Sequence, residues 1–306
     1  MFATLLGPYP AADGPESADD AARAVIEELT SVGLEPVSDG RGPVDAGAAE
    51  TARDIARAWQ RASRFTARAV KQSLIGPYTS RRSSQSRRSR RPADPVPRLG
   101  DAIELLAAAG CAFVEIDEPD AVRLADDPRE QRRFIDLHRA LTAGLSDQIH
   151  LSLVLTGGNV DAAGAATFFD LPYASYAFDL IAGPDNWRLI AEAPGDRGII
   201  CGALDPSPTS TDGPEVLVWA AHYAASTGGR GLVRVGLANS SSFAGLSPDR
   251  ARRKVNALAE AARIASSGST EELAAALDPR AVDIRSAAFG RYLPPDGAGR
   301  RNSRTP

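Results

Sequence analysis

The sequence predicts an α/β fold, a (β/α)8 TIM barrel formed as a single domain by residues 1–292. Eight short apolar runs recur along the 306 residues, at 3–6, 35–38, 69–74, 112–116, 149–155, 177–181, 199–204 and 232–237. Between them apolar residues fall at three- and four-residue spacing, as in Ala22, Val25, Ile26 and Leu29 or in Phe134, Leu137 and Leu141, which is the stripe of an amphipathic helix. Strand alternating with helix eight times over is the pattern of such a barrel. At 43% hydrophobic and 24% charged residues, the chain has the material for a core of that size.

Punctuation marks the element ends. Gly33 and Gly110 close the helices before the second and fourth runs, and helices open at Asp127-Pro128-Arg129-Glu130 and Ser247-Pro248-Asp249, where a capping side chain precedes a proline. After the third run the rhythm breaks. Residues 80–91 carry six arginines among serines and are followed by Pro92, Pro95 and Pro97. That composition does not build a core, so 80–98 is expected to be a disordered insertion on the rim, either a solvated loop or an electrostatic lid over an anionic ligand. Residues 293–306, rich in Pro, Gly and Arg, are expected to be a disordered tail.

Net charge is −4, so the chain as a whole carries no footprint for nucleic acid, and only the Arg-rich stretch points that way. Of 35 basic residues, Lys71 and Lys254 are the lysines. The first residues lack the charged and apolar regions of a signal peptide, and no run approaches the roughly 18 apolar residues of a membrane span, so a cytoplasmic protein with no membrane partner is expected. Cys111 and Cys201 sit in separate apolar segments without a second Cys or His at ligand spacing, which reads as two buried free thiols.

In a barrel of this kind the loops after the strands form the active face. Those positions hold Gly7, Asp39, Arg41, Tyr78, Asp117, Glu118, Asp179, Asp205, Asn239 and Ser241. Asp117 and Glu118 stand out, since adjacent carboxylates at the end of the buried-type run Phe113–Ile116 are costly without donors or a cation beside them. They read either as site residues or as caps of the neighbouring helix, whose first turn favours negative charge.

With the strands placed, their ends resemble the C-terminal catalytic barrel of cobalamin-independent methionine synthase and, more loosely, epoxyalkane:coenzyme M transferase. The residues that carry this are Leu5-Leu6-Gly7-Pro8-Tyr9-Pro10, Val37-Ser38-Asp39-Gly40-Arg41, Gly76-Pro77-Tyr78-Thr79, Ile116-Asp117-Glu118-Pro119, Gln148-Ile149-His150 and the helix start from Leu246 to Lys254. The resemblance implies a zinc held by His, Cys, Glu and Cys, which turns a substrate thiol into the thiolate that accepts a methyl group from methyltetrahydrofolate. The corresponding positions here are Ser152, Val154, Asp179 and Ser241, so the zinc site is degenerate; another register brings in His150, which still leaves mostly oxygen donors. Neither zinc nor methyltetrahydrofolate is therefore expected as a cofactor.

The resemblance also assigns the positions of Arg41 and Asp117 to a substrate ammonium, the first as a Glu. Arg41 in its place would favour a small anionic molecule, or would pair with Asp117 or Glu118. Pro8 replaces a Ser that helps hold the substrate carboxylate. The resemblance implies a pterin stacked on an aromatic after the turn matching Gly76-Pro77-Tyr78-Thr79, but here Ser80-Arg81-Arg82 follow, so Tyr78 reads either as a stacking residue or as one that packs. Two functions follow. One is a diverged enzyme in which Asp117, Glu118, His150 and Asp179 carry acid–base chemistry, with Gly7, Asp39, Arg41, Tyr78, Asn239 and Ser241 binding the substrate. The other is a non-catalytic relative that binds a ligand or partner at the same rim. His150 itself reads either as an acid–base group or as a core residue.

Overall fold

The computed structural model describes residues 1–10, 17–46, 50–86, 94–145, 148–210 and 213–278. Among them seven strands, β1 (Phe2–Ala3), β2 (Gln72–Ile75), β3 (Phe113–Asp117), β4 (His150–Leu155), β5 (Ser175–Asp179), β6 (Gly198–Leu204) and β7 (Val235–Asn239), form one sheet in the order β1-β7-β6-β5-β4-β3-β2. Every neighbouring pair is parallel. The connections are helical: α1 (Ala18–Ser31), α2 (Ala52–Ala62), α3 (Pro77–Ser86), α4 (Pro95–Ala108), α5 (Pro128–Thr142), α6 (Ala165–Phe169), α7 (Trp187–Glu192), α8 (Pro214–Ser226), α9 (Pro248–Ser267) and α10 (Thr270–Ala276). This is an α/β fold with a curled parallel sheet.

The expected second strand departs from that pattern. Residues 35–38 form single bridges rather than a ladder: Glu35 N donates to Ala3 O, and Val37 exchanges hydrogen bonds with Ala69 O and Lys71 N, each at 2.9 Å. Pro36 lacks an N–H and interrupts the ladder at the middle of the run. The insertion expected at 80–98 is also corrected at both ends. Residues 80–86 belong to α3, and α4 opens at Pro95 with Asp94 as its cap, accepting from Val96 N at 3.2 Å. Residues 87–93 and the predicted tail 293–306 lie outside the described residues.

Alternation along the strands separates two cores. The larger lies between sheet and helices and takes in Val114, Ile116, Leu151 and Leu153 with Val25, Ile26 and Leu29 of α1 and Phe134, Leu137 and Leu141 of α5. The smaller lies on the inner face, where Leu6, Val154, Ala177, Ile200 and Ala238 meet with Phe2 and Phe113 packed against them. Phe2, Phe113 and His150 fill the end at which the strands begin. Phe113 stacks on His150 with centroids 4.6 Å apart, and the Phe2 ring presses on Gly236, where a side chain's first carbon would sit 2.5 Å from it. At the opposite end, where the strands finish, Glu115 and Asp117 join an otherwise largely apolar wall.

Candidate active site

At that opposite end a cavity of about 210 Å3 opens, lined by the strand ends and the first turns after them. Leu6, Gly7 and Pro8 follow β1, Ser73 comes from β2, Glu115 and Asp117 from β3 and Val154 from β4, Thr156 and Gly157 follow β4, and Ser241 and Ser242 follow β7; Pro43 completes the wall. A larger hollow of about 990 Å3 between α2 and α4 lies on the outer helical surface, away from the strand ends.

Glu115 and Asp117 are two residues apart on one strand and so share the inner face. Glu115 is buried and fully engaged: Lys71 Nζ donates to Oε1 at 2.5 Å and Ser73 Oγ to Oε2 at 2.6 Å. Lys71 also donates to Leu5 O at 2.6 Å. Burial pulls its ammonium below the ordinary lysine value, with the charge of Glu115 opposing. Asp117 has a much weaker set of partners, a Thr156 hydroxyl 3.5 Å from Oδ1. Burial, with the charges of Glu115 and Glu118 nearby, pushes its carboxyl up to about 7.

Glu118 goes elsewhere. One residue on, it points out of the sheet into the helical layer, wholly buried, where it accepts from the backbone N–H groups of Tyr78 at 2.8 Å and Thr79 at 2.7 Å. It therefore caps α3, the helix that follows the neighbouring strand β2, in the way negative charge suits a helix start. Gly76 is required there, because any side chain would run into the Glu118 carboxylate. His138 Nε2 lies 3.1 Å from Glu118, and His138 Nδ1 is 2.6 Å from the Tyr173 hydroxyl.

Of the residues the sequence nominated, Gly7, Asp117 and Ser241 line the cavity. The rest do other work. His150 is the first residue of β4, at the closed end, with Nε2 2.8 Å from Ser175 Oγ and burial holding its imidazole below the usual value. Asp179 is buried and binds its own loop, accepting from Ile181 N and Ala182 N at 2.9 Å and Gly157 N at 3.1 Å; burial still raises its carboxyl. Asn239 ties β1 to β7 through Leu6 N, Leu6 O and Ser241 O. Tyr78 is buried edge-on to Phe134 and donates to Glu130 at 2.7 Å, so it offers no face for a pterin. Arg41 pairs with Asp39 at 2.7 Å and Glu50 at 3.2 Å, not with Asp117 or Glu118.

Lys71, Ser73 and Glu115 were not nominated. Their signal was present: a lone lysine inside an apolar run, and a glutamate two residues before Asp117, which alternation places on the same face. The positions matching the family's zinc ligands do not fit zinc. Val154 has no donor atom, Ser152 Oγ is buried with no hydrogen-bond partner, and both Asp179 oxygens already hold backbone N–H groups. Among the described residues no group of three or more His, Cys, Asp or Glu is arranged to hold a metal ion. Nor is any helix among them long and apolar enough to cross a membrane.

A parallel sheet wrapped by helices, with a cavity at the strand ends that holds two carboxyl groups, defines a TIM-barrel-like protein. The family it resembles is cobalamin-independent methionine synthase. In sequence the chain is 34% identical over 117 residues to a 5-methyltetrahydropteroyltriglutamate–homocysteine methyltransferase of Rhodopseudomonas palustris strain TIE-1. That match covers 36% of this chain and only 14% of the relative, so the chain accounts for a small part of that protein. In fold it is similar to a B12-independent methionine synthase from Shewanella sp. W3-18-1 in complex with selenomethionine, with a TM-score of 0.68 at 15% identity over 86% of this chain and 98% of that one. A putative vitamin-B12-independent methionine synthase from Listeria monocytogenes follows, with a TM-score of 0.64 at 13% identity over 86% and 97%. A methyltransferase from Methanosarcina mazei has a TM-score of 0.57 at 14% identity over 85% and 93%. No protein-family profile matches the chain.

Proposed function

We propose that this chain is a diverged methionine-synthase-like barrel enzyme that carries out metal-free acid–base chemistry on a small polar substrate in the mouth cavity, with Asp117 as the group that gives and takes the proton. The observation that carries the reading is a carboxyl held near neutrality, bordering a cavity and lacking a strong internal partner. A general acid or base works best when its proton affinity matches the working pH. Methyl transfer to a thiol is not proposed, since the residues at the family's metal positions would not generate a thiolate.

The substrate's charge follows from the lining. Glu115 is balanced by Lys71, and a protonated Asp117 is neutral, so the cavity wall carries little net charge. Arg41, which suggested a small anion, pairs with Asp39 through Nε and with Glu50 through Nη1 and does not line the cavity. A neutral molecule with a hydroxyl, carbonyl or amine facing Asp117 suits this wall better. The second reading, a ligand-binding protein without catalysis, is favoured by one observation: Asp39, Glu118, Asp179 and Asn239 are all engaged in holding the fold.

A thermal-shift screen over polyols, carbonyl compounds, amino acids, thiols, carboxylates, phosphates and folates tests both. A neutral polar compound should stabilise the wild type and lose its effect in Asp117→Asn. Turnover of that compound separates enzyme from binder. About one tightly held zinc per purified chain, with methylation of homocysteine, would overturn the reading.

A further inference from the structure

The floor of the mouth cavity is built from charges that the proposed proton transfer does not yet use. Lys71 has no exposed side-chain surface, and it is the ion-pair partner of Glu115 alone among the described carboxylates. Both Glu115 oxygens are held, one by Lys71 and one by Ser73, while the carboxyl of Asp117 meets a single distant hydroxyl. Two carboxyl groups on one buried face resist ionising together, and the nearest cation decides which of them takes the charge. Around Asp117 the other titratable neighbours are Glu118, on the far side of the same strand, and Asp179, which shares the Gly157 turn of the cavity wall; neither is a cation.

Resting on the reading of Asp117 as the acid–base group, we propose that Lys71 is a positioning residue: by fixing the anionic charge on Glu115 it leaves the proton of the carboxyl pair on Asp117, at the cavity. The resting site then presents a neutral acid to the ligand, and the atom it meets is a proton acceptor, a carbonyl, hydroxyl or amine lone pair. Ser73 serves the same end by donating to the second Glu115 oxygen, which favours the ionised form of Glu115. Lys71 does not line the cavity, and its own pull on Asp117, which lowers that carboxyl, is outweighed by the charge it fixes on Glu115.

The test is a carbon-13 titration of the Asp117 carboxyl in the wild type, in Glu115→Gln and in the double variant Lys71→Met/Glu115→Gln. With the Glu115 charge removed, the Asp117 midpoint should fall by about one pH unit or more, whether or not the unpaired Lys71 keeps its proton. In the double variant, with both charges gone, it should also lie below the wild type. An unchanged midpoint in Glu115→Gln overturns the inference. Should that variant fail to fold, the double variant decides, since replacing a buried ion pair by neutral groups is tolerated: a midpoint below wild type supports the inference and an equal one refutes it. A wild-type midpoint in the ordinary carboxylate range, near 4, would sink the acid–base reading together with the inference, whereas a midpoint near 7 that ignores Glu115 sinks the inference only.

Discussion

Asp117 and Glu118 are consecutive residues with opposite fates. Asp117 faces the mouth cavity with one hydroxyl 3.5 Å away, while Glu118 lies in a sealed layer between β3, α3 and α5, with two backbone N–H groups within 2.8 Å and an imidazole at 3.1 Å. The two groups have the same chemistry. What separates them is how much of their hydrogen-bonding capacity the fold already takes up. A carboxylate saturated by the fold stabilises structure, and one left short of donors has a proton to exchange.

The comparison breaks most easily at Glu118. Glu118→Ala strands the Tyr78 and Thr79 N–H groups in a dry layer and removes the partner of His138, so it should cost about 3–5 kcal/mol, or prevent folding altogether. Equilibrium denaturation measures it. A loss under about 1 kcal/mol would mean that Glu118 is not the anchor of α3.

Asp117→Asn should act in the reverse direction. The native Asp117 keeps its proton up to about pH 7, whereas an unfolded aspartate loses it near 4. The native state therefore binds more protons between those values, and wild-type stability is full below about pH 4, declines as pH rises to about 7 and then levels off. Three pKa units correspond to about 4 kcal/mol at most, and contact with water at the mouth reduces that to about 2. At pH 8 the Asn variant should be the more stable of the two by that order, with the difference vanishing near pH 4. Denaturation midpoints of both proteins across this range show whether the gap opens.

Much of this contrast was legible in the sequence. Parallel strands covered on both faces read as continuous apolar runs, and so seven of the eight runs overlap observed strands, while Pro36 explains the one that does not form a ladder. The inward direction of Asp117 and outward direction of Glu118 follow from strand alternation alone, as does the sharing of a face by Glu115 and Asp117. His150 could be placed too, because the first residue of a strand belongs to the end away from the active face. The partners of Glu118 were not legible, since they join β3 to a helix start some 40 positions upstream. The same holds for Arg41, whose pairing with Glu50 depends on how a loop turns.

His150 gives a smaller test, at the closed end. Its imidazole is half-buried, stacked on Phe113, and held below the ordinary histidine value by burial. His150→Phe keeps the stack and gives up the contact with Ser175, for a change of about 1 kcal/mol at pH 7. Because the depressed group resists protonation, the wild type should lose stability as pH drops below about 6.5, and the Phe variant should not share that loss. The Asp117 titration should be the same in both; a shift would join the closed end to the mouth.

Arg41→Glu is the mildest change and the one that best locates the substrate. Arg41 is about a third exposed, with 38% of its side-chain surface accessible, and its ion pairs with Asp39 and Glu50 lie at the rim. Such pairs contribute about 0.2–1 kcal/mol, so replacing the cation with a third carboxylate should destabilise the protein by about 1 kcal/mol, less in high salt. The cavity wall contains no atom of Arg41, so a compound bound beside Asp117 should stabilise Arg41→Glu as strongly as the wild type. A ligand whose thermal shift survives Asp117→Asn and disappears in Arg41→Glu would reverse the assignment. It would move recognition from the mouth cavity to the rim, and would restore the anion that a guanidinium at this position first suggested.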